Sequence, residues 1–158
     1  MSVNETQVFL GREFQVRRTL SHPKVDVGLI EIFPSFACLA GLKFREPRIA
    51  ETIFTLGYPR IPLSRDPALV MHRGEVTSSP VTTFSGQTLF LYSAIARPGN
   101  SGGPIVSLTG NVVGMVTEEL REEADPTSSF YAGIGAVEIA EAVSELGLSV
   151  SVPIEDYQ

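Results

Sequence analysis

The sequence contains a single cysteine, Cys38, among its 158 residues. One cysteine cannot form an internal disulfide bond, so the fold does not depend on an oxidised framework. Cys38 lies in the fairly apolar tract 32–42, where we expect it to pack as a small hydrophobic residue. A catalytic thiol is the alternative, but no histidine-bearing motif surrounds this cysteine to support it.

Several other features are also lacking. No run of 18 apolar residues exists, so the sequence predicts no membrane-spanning helix. The net charge is −6 and no stripe of Lys or Arg with interleaved aromatics is present, which argues against nucleic-acid binding. The two histidines, His22 and His72, and the lone cysteine do not have metal-ligand spacing. Gly102-Gly103 lacks the lysine of a phosphate-binding loop, so this run does not predict a nucleotide site. The sequence therefore predicts neither a metal nor another cofactor.

The composition indicates an all-β domain. Hydrophobic residues make up 43% and charged residues 19% of the chain, a balance that supports a packed core. Short β-branched and aromatic runs are separated by turn signals among the 14 Gly and 11 Pro. Expected strands are 6–20 (two strands around Gly11), 25–33, 49–56, 68–78, 82–93, 104–107, 111–118 and 129–135.

Three connecting features are also predicted. Thr109-Gly110-Asn111 is typical of a tight hairpin turn, because Gly and Asn tolerate positive φ. The segment 121–126 is predicted to be a charged, solvated loop. The apolar spacing over 137–146 predicts a short helix that ends at Gly147.

The run Pro98-Gly99-Asn100-Ser101-Gly102-Gly103-Pro104 carries the strongest chemical signal. A serine nucleophile needs an exposed hydroxyl on a tight turn and backbone N–H groups aimed at the developing oxyanion. Three glycines around one serine let the backbone bend so that the N–H groups of Gly99 and Ser101 converge. Asn100 tolerates unusual φ and can tie the loop by hydrogen bonds, while a plain Gly-rich hairpin turn is the alternative.

This run, with Pro104-Ile105-Val106 and the segment 111–117 after it, resembles the nucleophile loop of trypsin-like serine proteases. It is most similar to the bacterial, HtrA-like branch, which commonly has Asn before the serine. The segment 22–30 resembles the one that carries the family's catalytic aspartate, which implies Asp26 as the triad acid. Weaker similarities lie at Leu56-Gly57-Tyr58-Pro59, at 73–78 and at 130–135.

The resemblance implies a double antiparallel β-barrel with a short C-terminal helix in one peptidase domain over 1–158. A partial N-terminal barrel is expected over 1–66 and the C-terminal barrel with the helix over 67–158. The implied function is hydrolysis of peptide bonds in a protein or peptide substrate through an acyl-enzyme, with the oxyanion held by Gly99 and Ser101. The family pattern places Ile95 at the base of the substrate pocket, which implies a small or medium apolar side chain at the cleavage site. The implied pocket walls are Ala96, Thr117, Glu118 and Ala132.

The catalytic histidine of the family pattern has no counterpart, because only 25 residues precede Asp26 and none matches its motif. His22 is too near Asp26 in the same loop to lie between the acid and Ser101, and a surface position is expected for it. A structural or exposed role is expected for His72.

Three hypotheses follow from the missing histidine: a protease whose start lies upstream of Met1, a pseudoprotease that binds or scaffolds peptides, or completion by another chain. The intact Ser101 loop favours the first of these. The N-terminus as written lacks a signal peptide, which is typical of a cytoplasmic protein, but an upstream start would remove this inference. The sequence specifies no oligomeric state.

Overall fold

A computed structural model describes residues 6–9, 12–33, 41–122, 125–147 and 152–155. They form two antiparallel sheets and one helix. The strands are β1 (Thr6–Phe9), β2 (Arg12–Ser21), β3 (Gly28–Phe33), β4 (Thr52–Gly57), β5 (Val70–Glu75), β6 (Val81–Thr82), β7 (Thr88–Tyr92), β8 (Pro104–Ser107), β9 (Val112–Glu122) and β10 (Asp125–Gly135), and the helix is α1 (Ala136–Glu145). Cys38 lies outside the described residues.

The first sheet has three strands in the order β1-β2-β3. The loop between β2 and β3 is closed by two backbone hydrogen bonds, from His22 N to Val27 O at 2.9 Å and from Val27 N to Val25 O at 2.7 Å. Val27 itself is 5% exposed and packs into the core beneath the second sheet. This anchoring fixes the loop that presents Asp26 toward the rest of the molecule.

The second sheet has seven strands in the order β5-β4-β8-β9-β10-β7-β6. Its ends approach each other, because Val76, just after β5, bridges Tyr92 of β7 and Thr77 N donates to Leu91 O at 2.8 Å. The sheet is therefore curled and forms a half-barrel. β4, which the sequence-based division at residue 66 assigned to the first barrel, lies in this sheet between β5 and β8. The division between the two hydrogen-bonded sheets thus falls between Phe33 and Thr52.

Several predicted elements differ in their bounds from the observed ones. The run 82–93 is two strands, since Gly86 adopts φ +85 and a turn closes through Thr83 N to Gln87 O at 2.9 Å. The predicted charged loop over 121–126 is too long at both ends, because the backbone of β9 continues to Glu122 and that of β10 starts at Asp125. The Gly110 turn is confirmed by φ +86 and by a hydrogen bond from Gly110 N to Ser107 O at 3.0 Å.

The C-terminal helix is confirmed, and Gly147 follows it with φ +70. Its buried residues are Ala136, Ile139, Ala142 and Val143. The last three of these join Val27, Leu89, Ala132 and Ile134 in one core cluster. A second cluster fills the curled sheet with Ile53, Val76, Phe90, Tyr92, Ala94, Ile105, Val113 and Val116. No helix in the described ranges is long and apolar enough to cross a bilayer.

Candidate active site

The nucleophile loop, residues 97–103, joins β7 to β8 and begins with a type II turn. Arg97 O accepts a hydrogen bond from Asn100 N at 2.8 Å, and Gly99 at the third turn position has φ +101. Proline at the second position and glycine with positive φ at the third are the signature of this turn type. A type I turn would rotate the peptide between Pro98 and Gly99 by about half a turn, so the sequence itself sets the direction of the Gly99 N–H.

The loop is held against β4 and the residues that follow it by close backbone packing. Tyr58 N donates to Gly99 O at 3.2 Å. A Cβ at Gly99 would lie 2.7 Å from Tyr58 O, and one at Gly103 would lie 2.2 Å from Leu56 O. Both glycines are therefore required by close approach of two backbones, and they fix Ser101 relative to β4.

The backbone N–H groups of Gly99 and Ser101 have no hydrogen-bond acceptor within the described part of the chain. By contrast, Gly102 N donates to Val116 O at 2.8 Å and Gly103 N donates to Asn100 O at 2.7 Å. The two N–H groups that the sequence nominates for an oxyanion are thus available to a ligand, while their neighbours are engaged in holding the loop.

The loop brings Ser101 close to Asp26 through one intermediate residue. Ser101 Oγ donates to Thr117 O at 3.1 Å, and Thr117 Oγ1 donates to Asp26 Oδ2 at 3.0 Å. Thr117 lies in β9 of the second sheet, whereas Asp26 lies in the β2–β3 loop of the first. The site therefore sits where the two sheets meet, and Thr117, which the sequence placed only in a pocket wall, joins them.

Asn100, directly before Ser101, behaves differently from the sequence-based expectation. It is fully buried, and neither Oδ1 nor Nδ2 has a hydrogen-bond partner within the described ranges. Its backbone, rather than its amide, ties the loop through the bonds to Arg97 and Gly103.

Neither histidine contacts Ser101 or Asp26. His22 is not a surface residue: its side chain is 5% exposed, its Nδ1 accepts from Val25 N at 3.0 Å, and its Nε2 lies 2.9 Å from Glu145 Oε2 of α1. Because Nδ1 is an acceptor, the ring is neutral and its Nε2–H donates to Glu145. His72 lies in β5 opposite Thr55, and its Nε2 is buried without a partner among the described residues.

A pocket of about 190 Å³ opens beside Ser101. Its lining consists of Ala96, Arg97, Pro98, Ser101, Val116, Thr117 and Tyr131. Two of the nominated substrate residues, Ala96 and Thr117, are in this lining, whereas Ile95 is outside it, is 42% exposed and accepts a hydrogen bond from Thr55 Oγ1 at 3.2 Å through its carbonyl.

Ala132 is fully buried in the cluster under α1 and is not in the lining either. The side chain of Glu118 lies outside the described ones. The family pattern nominated neither Arg97 nor Tyr131, which the pocket lining adds. Tyr131 reaches the pocket only through the pairing of β10 with β9.

Within the part of the chain that the structure describes, no three His, Cys, Asp or Glu side chains are placed to hold a metal ion. The chemistry available at the site is that of a hydroxyl, a carboxylate and free backbone N–H groups. That set suits nucleophilic attack with charge stabilisation, provided that a base is supplied.

Comparison with known proteins places the chain among proteases. A family model described as Trypsin-like peptidase domain matches residues 3–115. The uncharacterized protein y4bJ of Sinorhizobium fredii is 34% identical over 102 residues, which are 62% of this chain and only 15% of that protein.

Solved structures of low sequence identity share the fold of this chain. The inactive form of a serine-to-alanine mutant of Rv3671c from M. tuberculosis H37Rv matches with a TM-score of 0.65 and 19% identity, over 93% of this chain and 72% of that one. The HtrA-type protease AlgW with a decapeptide matches with a TM-score of 0.63 and 17% identity, over 87% of this chain and 41% of that one. The predicted all-β, trypsin-like architecture is confirmed by these likenesses.

Proposed function

The chain belongs to the trypsin-like peptidase domain family, and we propose that it is the nucleophile-bearing part of a serine endopeptidase. Ser101 is the nucleophile, Asp26 is the triad acid, and the N–H groups of Gly99 and Ser101 hold the oxyanion. A histidine supplied from outside these 158 residues completes the triad. The substrate is a polypeptide, whose side chain next to the scissile bond contacts Ala96 and Thr117.

One observation carries this proposal: Thr117 hydrogen-bonds to both Ser101 and Asp26. The acid and the nucleophile are 75 positions apart along the chain and come from different sheets. Their convergence is the arrangement that a triad needs on either side of an imidazole.

The order of chemical steps follows from these positions. Ser101 Oγ attacks the substrate carbonyl while the imidazole removes its proton, and Asp26 keeps the imidazole oriented and stabilises its charge. The carbonyl oxygen becomes negative and is held by the two free N–H groups of the type II turn. The imidazolium then protonates the leaving amine, and water releases the acyl group from Ser101 by the same route.

A non-catalytic, peptide-binding module is the second candidate, and the engagement of His22 by Glu145 favours it. His22 is engaged by Val25 and Glu145, and His72 lies within β5 opposite Thr55, so neither forms a hydrogen bond with Ser101. Loss of a triad member lowers turnover by about ten-thousand-fold or more. An extended peptide can still bind beside β9 by backbone hydrogen bonds without being cleaved. The AlgW structure, of which this chain covers 41%, was solved with a decapeptide.

Chemical rescue separates the two candidates. The protein is incubated with a fluorophosphonate probe, with and without added imidazole, and labelling of Ser101 is followed by mass spectrometry. If the site lacks only its base, free imidazole between Asp26 and Ser101 is expected to accelerate labelling by more than tenfold. The Ser101→Ala variant should show no labelling at this position.

The Asp26→Asn variant is the matched test of the acid, because it keeps the size of the side chain and removes its charge. We expect it to lose most of the imidazole-dependent acceleration. Labelling that ignores imidazole, or that is identical in the Asp26→Asn variant, would contradict the catalytic proposal. In that case peptide binding without reaction at Ser101 would support the second candidate.

A further inference from the structure

Residues 58–117, which include the nucleophile loop, carry exposed arginines that form no ion pair among the described residues. The chain carries 18 acidic and 12 basic residues, but residues 58–117 contain four arginines, no lysine and only Asp66 and Glu75. None of these four, Arg60, Arg65, Arg73 and Arg97, forms an ion pair within the described ranges, and all four are exposed. Elsewhere Arg17, Arg18, Lys43 and Arg45 each pair with a glutamate.

Three of these four arginines line two cavities. Arg97 is part of the 190 Å³ pocket beside Ser101. Arg60 and Arg65 line a cavity of about 350 Å³ formed by residues 58–67. This second cavity is joined to the loop through the hydrogen bond from Tyr58 N to Gly99 O. Among the described residues, Arg97 is the one charged side chain in the lining of the 190 Å³ pocket, whereas Asp66 lines the larger cavity beside Arg60 and Arg65.

We propose that the pocket beside Ser101 takes an acidic side chain of the polypeptide substrate, and that Arg97 is the residue that selects it. The inference rests on the proposed function for the identity of the substrate as a polypeptide. The rest of the lining suits a glutamate: Ala96, Pro98, Val116 and the ring of Tyr131 offer apolar contact for its methylene groups. An exposed guanidinium without a partner then offers donors in a geometry that matches a carboxylate.

This selection replaces the apolar preference that the sequence implied. That preference depended on Ile95 as the pocket base, and Ile95 is outside the lining. A chain with a net charge of −6 repels acidic peptides over most of its surface. Arg97 in the pocket lining therefore attracts a carboxylate locally, while the net negative charge of the chain disfavours acidic peptides elsewhere.

The test measures binding rather than cleavage, so it does not depend on a complete triad. Three fluorescein-labelled hexapeptides that differ only in a central Glu, Gln or Lys are titrated with the protein, and anisotropy gives the dissociation constants. We expect the Glu peptide to bind about fivefold more tightly than the Gln peptide, which is the upper end for an exposed ion pair. The Lys peptide should bind most weakly, and the difference should shrink at high salt.

Arg97→Glu is expected to reverse the order of the Glu and Lys peptides. Arg73→Glu is the matched control: it makes the same charge change at an exposed, unpaired arginine that does not line the pocket, and the Glu preference should persist. Arg97→Gln, with folding checked by circular dichroism, covers the case in which charge reversal unfolds the protein, and it should abolish the preference without reversing it.

Equal binding of the Glu and Gln peptides, or equal effects of Arg97→Glu and Arg73→Glu, would overturn the assignment. The outcome is distinguishable from that of the labelling experiment. A Glu preference without reaction at Ser101 keeps this inference and removes the catalytic one. Reaction at Ser101 with no Glu preference does the opposite.

Discussion

Two glycines of the nucleophile loop have the same left-handed backbone but different surroundings. Gly99 has φ +101 and no space for a Cβ, whereas Gly102 has φ +77 and nothing within 4 Å of a Cβ position. We expect Gly102→Ala to cost about 1–2 kcal/mol in free energy of unfolding from backbone strain alone. Gly99→Ala should cost more, because it also pushes the loop from Tyr58 and Pro59.

Urea denaturation of the two variants measures this difference, and Ser101 labelling adds a functional comparison. Gly99→Ala is expected to suppress labelling, because the N–H that faces the oxyanion moves with the turn. Gly102→Ala should retain a larger share of the Ser101 labelling. Equal stabilities of the two variants would show that the contact between the loop and residues 58–59 does not constrain the turn.

Individual site residues differ in how far local sequence could reveal them. Ser101 and its glycines were evident because a tight turn leaves a local signature of residue types. The hydrogen bond from Thr117 to Asp26 was not evident, because it joins residues 91 positions apart that only the packing of two sheets brings together. The lining of the pocket beside Ser101 was not evident either, because Tyr131 reaches it only through the pairing of β10 with β9.

At the scale of elements, α1 depends on a carboxylate from outside the helix. Gly135 precedes the helix and provides no side-chain cap, and Glu46 Oε1 instead accepts from Val137 N at 2.7 Å. Burial beside the helix raises the pKa of Glu46, the Val137 N–H opposes this rise, and Glu138 and Glu141 reinforce it. The folded state therefore binds this proton more tightly than the unfolded chain, and its contribution to stability is lost as pH rises through the raised pKa.

Glu46→Gln should flatten this part of the pH dependence. The amide oxygen can still accept from Val137 N, and no charge has to be held beside Glu138 and Glu141. We expect the variant to lose less stability than the parent as pH rises above the ordinary glutamate pKa and through the raised pKa of Glu46. Thermal unfolding followed across this range measures the effect. A variant whose stability falls as steeply as that of the parent would contradict the assignment.

Glu31→Gln is the control with the opposite sign. Its hydrogen bond to Arg18, and the charges of Arg18 and Arg17, lower the pKa of the exposed Glu31 carboxyl. Stability from this pair is present above the ordinary glutamate pKa and is lost as pH falls through the lowered value. The Glu31→Gln variant should therefore be weakened at pH 7 and approach the parent in acid, the reverse of Glu46→Gln.

The elements that the sequence predicted well are those specified by adjacent residues. Helical spacing with a terminal glycine predicted α1, and Gly110-Asn111 predicted the β8–β9 turn. The split of 82–93 had a local signal as well, in Ser85-Gly86, which the continuous apolar pattern on both sides concealed. The membership of β4 in the second sheet had no local sequence signal, because long-range pairing with β5 and β8 determines it and the composition of β4 does not.

At the scale of the whole molecule, His22 links the loop of the first sheet that carries Asp26 to the helix that packs on the second sheet. His22 Nδ1 accepts from Lys24 N and Val25 N, which shapes the loop that presents Asp26. Its Nε2 is bound to Glu145 at the end of α1, which packs on the second sheet. The ring thus connects the position of the acid with the body that carries the nucleophile.

Two conservative substitutions separate the two sides of this ring. His22→Asn keeps an acceptor near the position of Nδ1 and loses the contact to Glu145. His22→Gln keeps a donor near the position of Nε2 and loses the hydrogen bonds from Lys24 N and Val25 N. Each should cost about 1 kcal/mol of stability, as expected for a hydrogen bond.

We expect His22→Gln to lose the imidazole-dependent labelling of Ser101 and to speed hydrogen exchange over residues 22–27. His22→Asn should keep the labelling and speed exchange at the end of α1. If both variants changed exchange and labelling alike, His22 would act only through overall stability, and the acid loop would be positioned by the packing of Val27 alone.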